Sequence, residues 1–95
     1  MLRIIEQGDE GLLTFKLAGK LAGEWTPELE RCWRNAVSIR QPEAISVELA
    51  EVTYVDDAGK QLLTRMARAG AALIAADVVM KALVEQIALH LAGEG

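Results

Sequence analysis

The chain has 95 residues, of which 52% are hydrophobic and 25% charged, with a formal net charge of −4 and a pI near 4.9. That length fits a single domain (residues 1–95) around one core, and the apolar content excludes a disordered chain, whose signature is low hydrophobicity with high net charge. The acidity, with ten basic residues scattered along the sequence, argues against nucleic acid as a partner, since the summed field repels a phosphate backbone.

Leu2, Ile4 and the run Leu12–Leu17 flank Gln7-Gly8-Asp9-Glu10-Gly11, a turn-rich stretch, which predicts two strands joined as an antiparallel hairpin with Leu13, Phe15 and Leu17 on one face. Thr26-Pro27 reads as a helix start, threonine capping free N–H groups and proline losing no needed donor at the first helical position. Leu29, Cys32, Trp33, Ala36 and Val37 then recur at helical spacing, and the helix is expected to end near Arg40, before Pro42. Trp25 falls in the loop ahead of it, as a staple onto the helix or an anchor for a partner.

Ile45, Val47 and Leu49 alternate with Ser46 and Glu48, the period of a strand, and Glu51 to Val55 carry the chain to the turn Asp56-Asp57. Ala58, Leu62, Leu63, Met66 and Ala69 fit a second amphipathic helix that Gly70 can end, with Asp56 as its cap. Ala71 to Ala76 reads as a short buried strand, and from Asp77 the residues Val79, Leu83, Val84, Ile87 and Leu91 mark a third helix. The order β-β-α-β-α-β-α predicts a small α/β sandwich with a mixed sheet, in which strands three and four are parallel neighbours or near neighbours. Functional surfaces in such folds gather where strands end and helices begin, which is where the Asp56 turn lies.

Cys32 and His90 are each alone. The chain therefore lacks an intrachain disulfide and a cysteine-rich metal site, and a reducing compartment is expected. A nucleophilic mechanism needs a base and an orienting group beside the nucleophile, and a lone histidine near the end of the third helix does not supply them. An aspartyl phosphorylation site at the acidic pair would need further oxygen ligands and a lysine; nothing in the spacing of Glu51, Asp77 and Lys60 requires them to converge. No catalytic residue, metal or cofactor is expected. Arg3, Glu6 and Asp9 interrupt the first residues, where a secretory leader needs an unbroken apolar stretch, and no apolar run approaches the roughly 20 residues of a membrane span. A cytoplasmic location without direct membrane insertion follows as the expectation.

The stretch from Ile45 to Gly59, with the connector Val52-Thr53-Tyr54-Val55 and then Asp56-Asp57-Ala58-Gly59, resembles the STAS domain, the sulfate transporter and anti-sigma-factor antagonist family of bacterial regulators. That family carries a strand, a V-T-F-like connector and D-S-S-G opening a helix. Gly19-Lys20-Leu21 is similar to its G-x-L hairpin exit, and Thr26-Pro27-Glu28-Leu29 to the start of its first helix, so the resemblance covers most of the chain. It implies a non-catalytic regulatory module that binds an anti-sigma factor with kinase activity until the second serine of D-S-S-G is phosphorylated. Here Asp56 and Gly59 match the ends of the motif, Asp57 replaces the first serine, and Ala58 stands at the phosphoacceptor position, where a methyl group cannot take phosphate. Ala22 occupies the place of the family's aspartate after G-x-L. The chain also ends soon after the third helix, so the family's last strand and helix are expected to be absent or rearranged.

The resemblance thus implies partner binding without phosphorylation at the usual position, through Asp56, Asp57, Ala58, Gly59, Lys60 and Thr64 on the turn and the adjoining polar face of the second helix. An anti-sigma factor, a regulator of transcription, is the first partner implied; the alternative is the ATPase of an ABC-type lipid transport complex, to which some STAS proteins attach as small cytoplasmic subunits. A permanent phospho-like charge at Asp57 is weighed equally with plain surface acidity, since a carboxylate carries about one charge against phosphate's 1.5 to 2.

Overall fold

The computed structural model describes residues 1–94. Strands β1 (Leu2–Asp9) and β2 (Leu12–Leu21) form the predicted antiparallel hairpin, paired from Leu2 opposite Gly19 to Asp9 opposite Leu12. The turn is tighter than the composition of residues 7–11 implies: only Glu10 and Gly11 lie outside the strands, with φ of 50° and 83°. Positive φ at both central residues is the requirement of the two-residue turn whose twist matches the flanking strands, and the glycine meets it without strain.

Helix α1 (Trp25–Val37), a short 3₁₀ turn (Pro42–Ala44), strand β3 (Ile45–Val55), helix α2 (Asp57–Ala69), strand β4 (Ala72–Ile74) and helix α3 (Val78–Gly93) complete the predicted order. The sheet order is β1-β2-β3-β4, with β2–β3 and β3–β4 parallel. Among the described residues no strand follows β4.

The start of α1 departs from expectation. Thr26 is not its cap: the helix begins at Trp25 without any side-chain cap, because the backbone does the work, Trp25 N–H donating to Ala22 O at 3.2 Å and Thr26 N–H to Gly23 O at 3.3 Å. Thr26 is instead buried with its hydroxyl unpartnered, and Trp25 is a half-buried first residue of the helix packed on the core. The helix also stops at Val37, short of Arg40. Helix α2 ends as predicted at Gly70, whose φ of 122° suits glycine and releases the chain into β4.

One continuous core joins all layers. Leu13, Phe15 and Leu17 from β2, Ile45, Val47, Leu49 and Val52 from β3, Leu29 from α1, Leu62, Leu63 and Met66 from α2, and Met80 and Ile87 from α3 are all buried in it. The helices lie side by side, α1 on α2 and α2 on α3, against the face of the sheet that carries these residues. The opposite face, with Thr14, Lys16, Ser46 and Glu48, has no buried residue in β2 or β3, so the two central strands are covered on one side alone.

The pairing of β2 with β3 slips twice. Lys16 faces Glu48 but Ala18 faces Glu51, and Gly19 faces Val52 but Lys20 faces Tyr54. Each slip is one extra residue in β3, a bulge. The inward positions of β3 therefore run 45, 47, 49, 52 and 55 instead of alternating strictly, and Thr53, the extra residue of the second slip, donates its hydroxyl to Gly19 O at 3.3 Å.

Candidate functional site

The second slip delivers the end of β3 to the loop between β2 and α1, and Asp56 fastens them. Its N–H donates to Leu21 O at 3.1 Å. One carboxylate oxygen, Oδ1, accepts Gly59 N–H at 2.8 Å, the predicted helix cap; the other, Oδ2, accepts Gly23 N–H at 2.9 Å from across the sheet. Its carbonyl accepts Lys60 N–H at 2.9 Å. A single residue thus ties together the end of β2, the start of α1 and the first turn of α2.

Those two N–H groups set the carboxylate's electrostatics: the hydrogen bond from Gly23, then that from Gly59, hold Asp56 below its ordinary carboxylate value. A group whose folded value lies below its unfolded one stabilises the fold fully above the unfolded value, near 3.8, and loses that contribution as the pH falls through the folded value. Asp56→Asn should therefore melt below the wild type at neutral pH, with the gap closing on acidification from about pH 5 downward. Paired thermal melts across that range test this, and a gap independent of pH would show that the carboxylate's charge does not hold the turn.

Gly59 is present for a steric reason. A Cβ there would lie 2.6 Å from Leu21 O and 3.0 Å from Leu21 Cγ and Val55 Cγ1, so only glycine lets the first turn of α2 press onto the ends of both strands. Gly59 itself is buried, whereas Asp57, Ala58 and Lys60 are exposed. The structure thus divides the predicted site: Asp56 and Gly59 build the platform, and Asp57, Ala58 and Lys60 are its outward surface. Thr64 lies one turn further on with its hydroxyl committed to Lys60 O at 2.7 Å. The roles of Gly23 and Leu21 in the clasp are not legible in the sequence, because their contribution is a backbone N–H and a backbone carbonyl.

Beyond the turn, α2 and α3 enclose a groove of about 460 Å³ lined by Lys60, Gln61, Thr64, Arg65, Arg68, Gln86, Ile87 and His90. No group of three or more acidic, histidine or cysteine side chains able to hold a metal occurs among the described residues, and Glu51, Asp57 and Asp77 do not form one. Cys32 is half-buried beside the core; burial first, and the charge of Glu6 next, push its thiol up, which makes it a poor nucleophile. No helix among the described residues is long and apolar enough to cross a membrane.

With this geometry in place, comparison with solved structures defines the fold. An anti-sigma factor antagonist from Mycobacterium paratuberculosis superposes on the chain with a TM-score of 0.79 at 16% identity, over 94% of this chain and 80% of that one. An uncharacterized protein of the DUF3478 family with a SpoIIAA-like fold, from Shewanella loihica PV-4, does so with a TM-score of 0.57 at 18% identity, over 83% and 71%. The chain has the STAS fold that its sequence resembles. No family model matches the sequence, and no curated protein matches it at a significant level.

Proposed function

We propose that this chain is a non-catalytic regulatory module that binds a protein partner in the cytoplasm through the exposed first turn of α2, without a phosphorylation switch at that turn. The observation that carries the reading is the Asp56 clasp. Hydrogen bonds to Gly23 and Gly59 fix the backbone of the turn while Asp57, Ala58 and Lys60 point outward, and a rigid platform with exposed side chains suits recognition because little ordering entropy is lost on binding. The likeness to an anti-sigma factor antagonist supports this reading and makes an anti-sigma factor the first partner to seek. Ala58 in place of a hydroxyl leaves recognition to shape and to the fixed charges of Asp57 and Lys60.

The test is copurification of the tagged chain from its source cells, with Asp57→Lys and Lys60→Glu as comparators. A defined partner should be recovered by the wild type and reduced at least about tenfold by each variant, a loss of about 1.4 kcal/mol. Two folded variants that retain the partner undiminished would place the binding surface elsewhere. Recovery of an ATP-binding transport subunit in place of an anti-sigma factor would favour the accessory-subunit reading.

A further inference from the structure

Three of the ten basic residues gather in one place. Lys60, Arg65 and Arg68, with His90, line the groove between α2 and α3, in a chain whose net charge is −4. Lys60, Thr64 and Arg68 follow one another at intervals of four, so Lys60 and Arg68 stand about 12 Å apart along one stripe of the helix. Between the basic rims lies Ile87, 2% exposed.

One carboxylate already pairs with two of the groove's lining residues. Arg68 grips Glu94 in a two-pronged arrangement, Nε to Oε1 at 2.9 Å and Nη2 to Oε2 at 2.6 Å, and His90 Nε2 lies 3.4 Å from the same carboxylate. The remaining cations are less well matched. Arg65 reaches Glu30 only at 3.4 Å, a carboxylate that Arg34 holds at 2.9 Å, and Lys60 forms no ion pair among the described residues, its ammonium resting on the neutral Gln86 amide at 3.3 Å. The two-pronged Arg68–Glu94 pair is the stronger kind of ion pair, and a carboxylate that displaces Glu94 must reproduce both of its hydrogen bonds.

We propose that the α2–α3 groove is a docking site for an acidic protein segment, whose carboxylates pair with Lys60 and with Arg68, the latter by displacing Glu94. Charge complementarity selects the occupant. The spacing is met by acids three or four residues apart in an extended segment, at about 3.3 Å per residue. The proposal deepens the reading above, since Lys60 belongs to both surfaces, and names the chemistry of the partner.

Titration of the isotope-labelled chain with an acetylated, amidated hexaglutamate peptide, followed by amide chemical shifts, tests it. Shifts should concentrate on Lys60–Arg68 and Gln86–His90. Arg68→Ala should weaken binding at least about fivefold, and Glu94→Ala should tighten it roughly two- to fivefold by removing the internal competitor. Glu85→Ala removes an acid of α3 that does not line this groove and should leave affinity unchanged, which separates local competition from net charge. Absence of saturable shifts, or an equal gain from Glu94→Ala and Glu85→Ala, would overturn the proposal. So would displacement of the peptide by inorganic phosphate, or by a short single-stranded oligonucleotide, at lower concentration than the peptide requires, since the groove would then serve a small anion or nucleic acid. The two readings fail separately: an Arg68→Ala chain that captures its partner normally while Asp57→Lys does not would remove the groove and keep the turn.

Discussion

Phe15→Ala should lower the unfolding free energy by about 3–5 kcal/mol, the range for a large aromatic removed from a core that cannot close around the gap. Phe15 is fully buried in the middle of β2, directly opposite Val47 of β3 and Glu6 of β1, so the cavity would open between the sheet and the helical layer at the centre of the molecule. A fall in melting temperature of at least about 12 °C is expected for a domain of this size. Calorimetry of the two proteins decides it, and a drop under about 4 °C would mean that the core repacks around the site and that its layers are less tightly matched than described.

Gly59→Ala should destabilise the protein, which is the opposite of what helix propensity dictates. Replacing glycine by alanine inside a helix ordinarily gains about 0.5–1 kcal/mol. Here the new methyl group would meet Leu21 O at 2.6 Å and two side chains at 3.0 Å, and relief requires moving α2 away from the strand ends at about 1–3 kcal/mol. The amide signals of Leu21 to Gly23 should shift with it, because Asp56 would no longer reach Gly59 and Gly23 together. Gly93→Ala, where nothing lies within 4 Å of the added group, is the control and should be neutral or slightly stabilising. Equal behaviour of the two variants would refute the close approach on which the turn depends.

Much of the fold is legible in the sequence because its signals are periodic. The alternation of Leu13, Phe15 and Leu17 and the helical recurrence of Leu62, Leu63 and Met66 each place one apolar face, and those faces meet in the core. The motif Asp56 to Gly59 is legible for a different reason, that its outer residues are fixed by local chemistry: an acid to cap the helix and a glycine for contact with Leu21. Where reading fails, the backbone has replaced the side chain. The first turn of α1 is closed by the carbonyls of Ala22 and Gly23, which no residue type advertises, so Thr26 looks like a cap while facing the interior. The break in alternation after Leu49 hides that residues 45–55 are one strand, since a bulge shifts the apolar position from 51 to 52. The α2–α3 groove is legible only on its α2 side, the polar face of the second helix, because His90 and Gln86 meet Lys60 and Arg68 through tertiary packing alone.

The paired bulges of β3 also constrain how this protein can diverge. An extra residue taken up as a bulge lets a strand keep the same face inward beyond it; here two such residues leave Val52 and Val55 inward while lengthening β3 by two residues relative to β2. A descendant that lost either extra residue would keep Val52 and Val55 inward in a more regular strand but draw Asp56 back from Gly23 by about 3 Å, and one that lost both by about 7 Å. A deletion between Leu49 and Val55 should therefore leave the inward pattern intact and act instead on the clasp, so the length of this segment is fixed by the reach of Asp56 to Gly23 and not by the core.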